Sequence, residues 1–444
     1  MEGSALASVS QRRRLSERSG PALERSLGLW QVSLAGIGVV LGAGVYALVG
    51  PASAAAGNAL WLAFLFAGLA ASATAYSYAR LGTRRPKDSP EFQYTSLAFG
   101  ARVGFLAGWL MLAADLLATA AVALGFGGYL AHLIGTPIAM NAFVLIVILG
   151  LVIFAGIGES VTLVIVFTLI ETAGLLFIVV SGVQFWPSAD YTESPRGLAG
   201  VWSAGALIFF AYLGFDELGN LAEEMRRPER DLPWALIITM AATTAIYMGV
   251  AFSATGAVGW QALSTSQAPL ALVARRVLGA QADTALSLMA LVATANTVLL
   301  LLVSAGRSVY GMASSGVLPS AFRAVGGTRV PTKAAALVLA IAAGLVLIGD
   351  LARAAEFTNA AMLTGFMLVN LSLLSLSLRG RDGKGRLRTQ IADVAIPSFA
   401  VLTCGWLFLH TGTISILVAL ALVATGYVLG RTRMLAGQAA NSDV

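Results

Sequence analysis

The chain has 444 residues, 58% of them hydrophobic and 11% charged, with a mean hydropathy of +0.82. A soluble protein carries about 25% charged residues, so the composition excludes a water-soluble enzyme or binding module and implies an integral membrane protein. A single cysteine (Cys404) excludes a disulfide framework, and two histidines leave little for a metal site.

Residues 1–27 form a polar, Arg-rich tail, and the first apolar run after it is too long for a signal-peptide core. Apolar segments of spanning length then recur at 29–50, 59–80, 103–131, 140–157, 161–185, 199–222, 232–256, 282–306, 333–350, 354–378, 390–410 and 413–430. The spacing predicts an all-α polytopic membrane protein with about 12 transmembrane helices. Only Gly156–Ser160 separates the fourth span from the fifth. The segment 260–281, with Pro269 and Arg275-Arg276, is too polar to span and is expected to lie as a short helix on the outer face. Residues 432–444 form a second polar tail, so one membrane domain (28–431) is expected between two tails.

Charge orients this domain. Of the 28 Lys and Arg residues, 24 fall in the tails and in the loops at 80–102, 226–230, 307–333 and 379–388; only Arg196, Arg275, Arg276 and Arg353 lie on the other side. Positive charge collects in the cytoplasm, so both termini are expected there, with the domain in the cytoplasmic membrane. The net charge of +6 is then a topology signal, and no nucleic-acid partner is expected. Arg80 reads as a topology anchor or a member of a gate ion pair. Trp30, Trp61, Trp186, Trp202 and Trp234 stand near span ends, as an interfacial belt would.

Two spans carry the chemistry. Gly36-Ile37-Gly38-Val39-Val40-Leu41-Gly42-Ala43-Gly44 puts four glycines inside the first. Irregular backbone survives in hydrocarbon only where it lines a protein cavity, and glycine brings bare N–H and C=O groups against a small ligand. Gly38-x-x-x-Gly42 on its own could serve only close helix packing. The sixth span holds a second interruption at Phe209-Phe210-Ala211-Tyr212-Leu213-Gly214, five spans later. Two broken helices at matching positions are expected of an inverted repeat with a midplane substrate site.

These residues resemble the amino acid–polyamine–organocation superfamily, most closely its bacterial relatives of cationic amino acid transporters. Three motifs carry the resemblance: Leu41-Gly42-Ala43-Gly44-Val45-Tyr46; Phe210 to Asp216 with Ala222-Glu223-Glu224 and Pro228-Glu229-Arg230-Asp231-Leu232-Pro233; and Asn296-Thr297-Val298 through Arg307, Tyr310-Gly311-Met312 and Gly316-Val317-Leu318-Pro319. The resemblance implies two inverted five-helix repeats, about 28–185 and 199–378, with broken helices 1 and 6 and two extra helices at about 390–431. It implies alternating access around one amino-acid-sized site. The N–H groups of Gly42, Ala43 and Gly44 would hold a carboxylate, and carbonyls near Val40, Phe209, Phe210 and Leu213 an ammonium, in keeping with half-helix dipoles. Phe210 would be the aromatic gate.

Four carboxylates sit within apolar spans: Asp115, Glu171, Asp216 and Glu217. Each is a functional candidate by default, since a mid-membrane charge costs about 2.5–3.5 kcal/mol on insertion scales. Glu171 falls where many of these permeases carry a lysine that occupies the place of a sodium ion. It could couple protons, bind a cation or a substrate amine, or be a neutral, hydrogen-bonded carboxyl. Asp115 lies on the span that lines the site in this family and is a candidate for substrate contact or a packed, paired or protonated carboxyl. It stands one residue after the family's usual carboxylate, where this chain has Ala114, and one residue turns a helix by about 100°. Asp216 suits helix capping or gating better than direct substrate contact. Glu159 and Glu223-Glu224 suit solvated or capping roles. Thr294, Asn296 and Thr297 could line an ion position beside span one or simply bond neighbouring helices.

With no metal cluster, nucleophile constellation or nucleotide motif, an enzyme or ATP-driven pump is a poor fit, and no cofactor is expected. The expected function is secondary active transport of amino acids, coupled to protons or another ion. A polyamine or organic-cation permease, or an exchanger of the same fold, is the alternative.

Overall fold

The computed structural model describes residues 27–82, 90–155, 161–314, 318–326, 330–379 and 387–442. Backbone groups in hydrocarbon must be satisfied within the segment that carries them, and the described residues accordingly form helices. The one β-contact described is an isolated parallel bridge between Leu27 and Met225.

The first span is two helices, α1 (Leu29–Val40) and α2 (Ala43–Ala56), parted at Leu41–Gly42. After them come α3 (Leu60–Gly82), α4 (Pro90–Phe99), α5 (Ala101–Ile134), α6 (Ile138–Phe154) and α7 (Val161–Gly182). The sixth span begins as α8 (Gly197–Ile208) and is followed by α9 (Pro228–Thr265) and α10 (Pro269–Leu278). The last five are α11 (Ala280–Ser314), α12 (Thr332–Leu345), α13 (Leu351–Leu378), α14 (Leu387–Leu409) and α15 (Thr413–Ser442).

Among the described residues, nine helices are long and apolar enough to cross a membrane. One of these runs, Ala43–Gly82, contains two segments, because Gly57 (φ 65°) turns the chain between α2 and α3. Shorter apolar helices at Leu29–Val40, Ile138–Phe154 and Thr332–Ile348 fill the remaining expected positions. Each of the twelve apolar segments thus has a helix, and the chain is an all-α, multi-pass membrane protein. The division between spans four and five falls at 156–160, outside the described residues. The short helix expected within 260–281 is α10. The loop expected at 80–102 contains α4, whose Tyr94 and Thr95 are buried. A ten-residue helix lacks the apolar length that marks a span, so hydropathy passes over it. α15 also runs on beyond the apolar segment, to Ser442.

Burial separates centre from periphery. The apolar window of α5 is 78% buried, against 22% for α15. At one end of the domain Glu193 fastens several elements together. Its carboxylate accepts hydrogen bonds from Asn58 Nδ2 (2.8 Å) and Trp260 Nε1 (2.9 Å), and its carbonyl accepts one from the Ala59 amide (3.2 Å). A Cβ on Gly57 would stand 2.7 Å from that carbonyl oxygen, so the turn needs glycine on steric grounds too. Trp61, from the expected aromatic belt, donates to the Tyr191 carbonyl (3.1 Å), whereas Trp30 and Trp234 stand exposed.

At the opposite end Arg80 of α3 holds Asp393 of α14 through two charge-assisted bonds, Nε to Oδ1 (2.7 Å) and Nη2 to Oδ2 (2.6 Å). Tyr76 also donates to Asp393 Oδ1 (2.8 Å). Arg80 is therefore half of an ion pair between α3 and α14. Removing one partner of such a pair strands a buried charge, at a cost of about 3–5 kcal/mol. Arg80→Gln should lower the thermal unfolding temperature of the purified protein, and Arg80→Gln with Asp393→Asn should recover much of the loss. An unchanged melting curve for the single variant would refute the assignment.

Candidate functional site

The first break forms because α1 ends in glycine-spaced small residues and α2 restarts without a capping side chain. The Leu41 amide still donates to the Ile37 carbonyl (2.8 Å), closing α1. Gly42 (φ −55°, ψ −165°) then leaves the helical region, and no side chain caps α2. The first N–H groups of any helix lack intrahelical partners, so the start of α2 presents bare donors where Ala43 and Gly44 are buried. The end of α1 presents carbonyls on the other side of the gap. Sequence placed Val40, Gly42, Ala43 and Gly44 here, and the structure brings them together.

The second break follows α8. Phe209–Tyr212 tighten into a 3₁₀ turn, Leu213 is extended (φ −63°, ψ 147°), and Gly214 takes φ 108°. The inner half, Phe215–Glu224, is 3₁₀ rather than α-helical. The two breaks cross in contact. A Cβ on Gly44 would lie 2.7 Å from Ala211 Cα and 3.2 Å from Phe210 Cδ1; one on Gly214 would lie 2.8 Å from Val39 Cγ1. Phe210 thus stands against the donors of α2, while the Phe209 ring is fully buried against Phe366 of α13, with centroids 6.1 Å apart. The Phe210 carbonyl accepts the Leu213 amide (3.2 Å).

Tyr247 of α9 ties the breaks to each other. Its hydroxyl lies 2.6 Å from the Val40 carbonyl oxygen and 2.8 Å from that of Ala211. A hydroxyl has one proton, so the two carbonyls share a single donor. Asn359 of α13 donates to the Ala206 and Leu207 carbonyls (2.7 and 3.0 Å), serving the end of α8. Sequence reasoning missed both residues. The signal available was a tyrosine and an asparagine inside apolar spans, whose polar atoms need partners.

Glu171 of α7 lies beside the first break. One turn before it, Thr168 touches the place a Cβ on Gly38 would take; three residues after it, a Cβ on Gly174 would come 2.6 Å from the Tyr46 hydroxyl. Tyr46 donates to the Glu171 backbone carbonyl (2.8 Å), and Tyr129 donates to the carbonyl of Tyr46 (2.9 Å). The Glu171 side chain is buried, its Oε1 has no hydrogen-bond partner among the described residues, and it lies within electrostatic reach of Tyr46 and Tyr247. Across the gap, the Thr297 hydroxyl of α11 is the side-chain atom nearest Gly42, 3.5 Å from an added Cβ. Thr294 is buried with its hydroxyl turned back to the Ala290 carbonyl (2.7 Å), and Asn296 is also buried.

Asp115 is half-buried in α5, and its carboxyl interacts with Glu217, Asp216 and Glu91. It therefore lies within electrostatic reach of the acids of the Phe215–Glu224 segment and of α4. Asp216 accepts the Gly214 amide (3.1 Å), which makes it a cap for the bend, and Tyr78 donates to Glu91 (2.8 Å). Glu159 lies outside the described residues, as do the side chains of Glu223 and Glu224. Among the described residues no group of three His, Cys, Asp or Glu is placed to hold a metal ion.

A multi-pass helical membrane protein in which two interrupted spans cross in contact, one of them restarting on an uncapped helix end, belongs to the class of solute carriers. The sequence pattern of the amino acid permease family matches residues 27–435, and the chain belongs to that family. It is 27% identical to the branched-chain amino acid permease BcaP of Bacillus subtilis (strain 168), over 97% of each chain. It is 27% identical to the methylthioribose transporter of the same organism, over 87% of this chain and 88% of the other. It is 29% identical to the vacuolar cationic amino acid transporter 2 of Arabidopsis thaliana, over 80% of this chain and 60% of the other. The chain is thus a transporter and not an enzyme.

Leaving a buried acceptor unsatisfied costs about 1–3 kcal/mol. Tyr247→Phe should destabilise the protein by that amount in detergent and weaken the stabilisation that a substrate confers. A variant with wild-type stability and a wild-type substrate-induced shift would remove Tyr247 from the site.

Proposed function

We propose that the protein is a secondary active transporter of amino acids that works by alternating access and is coupled to protons. The observation that carries this reading is the uncapped start of α2 facing the carbonyl end of α1, with Phe210 against the gap. A zwitterion matches this polarity. Its carboxylate accepts from the N–H groups at Gly42, Ala43 and Gly44, and its ammonium donates to carbonyls of the Val39–Val40 end and the second break. The helix dipoles favour the same orientation. Phe210 closes over the ligand. In this reading the inverted repeats rock about the site, in a cytoplasmic membrane with both termini inside.

Glu171 is the coupling group. A buried carboxyl oxygen without a partner, next to the break that binds substrate, is suited to take up and release a proton, because hydrocarbon disfavours the charged form. Proteoliposomes should accumulate radiolabelled amino acid when an inward proton gradient is imposed. Glu171→Gln should abolish that accumulation while preserving exchange of internal for external substrate. Uptake driven by sodium and indifferent to pH would refute proton coupling. Unchanged pH dependence in the variant would leave Glu171 a packing residue.

A second reading, transport of a polyamine or other organic cation, is favoured by one observation: the carboxylates of Glu91, Asp115, Asp216 and Glu217 gather near the second break. Putrescine and arginine should then compete with labelled substrate better than alanine and leucine do. Competition by the uncharged amino acids alone would exclude the cation reading.

A further inference from the structure

At the inner end of the membrane domain, α5 and α15 run antiparallel in a fixed register. The Trp109 indole donates to the Leu422 carbonyl (3.0 Å). One turn along, Gly426 admits the same indole, since a Cβ there would stand 2.6 Å from Trp109 Cδ1; at the next turn a Cβ on Gly430 would stand 3.0 Å from Phe105 Cδ1. Large residues on α5 thus seat against small ones on α15, and the register continues to the helix ends. It brings Arg102, in the first turn of α5, beside Arg431 of α15. Between them opens a cleft of about 410 Å³ lined by Arg102, Tyr427, Gly430 and Arg431.

Two like charges held in one cleft repel, and among the described residues no carboxylate lines it. We propose that this cleft is a binding site for the phosphate headgroup of an anionic phospholipid. Guanidinium groups present planar forks of donors that match phosphate oxygens. Basic pockets between membrane helices at an interface are suited to anionic lipid headgroups. The site also lies at the right depth, because the apolar run of α15 in the sequence gives way at Gly430 to Arg431. Tyr427 and Val428, both more than half exposed, extend an apolar surface from the cleft into the bilayer region. That surface would pack acyl chains, which a free phosphate ion lacks. The proposal is independent of what the protein transports.

The test uses the full-length protein in detergent micelles doped with phosphatidylglycerol or with phosphatidylcholine of matched chains. Native mass spectrometry counts the lipids retained. Wild-type protein should retain the anionic lipid on the order of tenfold more than the zwitterionic one, as two arginines at the surface imply. Arg102→Gln and Arg431→Gln should each reduce the excess and the double variant should abolish it. Arg353→Gln, at the opposite membrane face, should keep it. Millimolar inorganic phosphate should displace little of the bound lipid. Equal retention of the two lipids by wild-type protein overturns the proposal regardless of how the variants behave. So does a folded double variant that retains the full excess, or complete displacement by phosphate, which would make the cleft a site for free anions only.

Discussion

A helix that stops halfway across a bilayer leaves backbone donors and acceptors where no water can reach them, and this constraint governs the structure. The chain meets it twice, at Leu41–Gly42 and at Phe209–Gly214, and in each case uses spans distant in sequence to absorb part of the deficit. Tyr247 serves carbonyls of both breaks with one hydroxyl, and Asn359 serves the end of α8. At the start of α2 no side chain fulfils that role. The donors left open there are the ones the proposed substrate would use, so the same shortage that threatens the fold defines the site.

Two buried acids illustrate how differently a membrane domain can treat a carboxylate. Asp393 is gripped by a bidentate arginine and a tyrosine, an arrangement that neutralises it and fixes α14 to α3. Glu171 is equally enclosed, yet its Oε1 has no partner among the described residues while its backbone carbonyl is engaged by Tyr46. The helix is anchored there and the acid is not. Close approach makes this neighbourhood possible, since Gly38 lets Thr168 of α7 reach the backbone of α1.

The spans and both breaks were legible in the sequence, because they rest on local properties: runs of apolar residues, glycines inside such a run, and the Phe210–Asp216 motif. The short helix α10 was legible for the same reason, from Pro269 and the paired arginines. α4 was not, because a ten-residue helix in a charged loop falls short of the apolar length that marks a span. The ties between elements were hidden as well. Arg80 and Asp393 are separated by 313 positions and Tyr247 and Val40 by 207, and nothing in either local sequence names the other. For Asp115 the concern raised by its one-residue offset had physical content, since the structure sets the side chain among Glu91, Asp216 and Glu217. The 3₁₀ form of Phe215–Glu224 left no readable trace.

The Glu193 carboxylate, which clasps Asn58 and Trp260, has a mechanical consequence. It joins the turn between the first two spans to the end of the seventh, while Tyr212 bonds the sixth span to the Phe64 carbonyl in the second and Tyr247 bonds the seventh to the first and sixth. Four spans are thereby cross-braced near one end and near the middle. Parts braced at two heights resist shear against one another and turn as a single lever. Under the proposed cycle, the free energy of one bound solute would go into rotating that lever and not into bending its members separately.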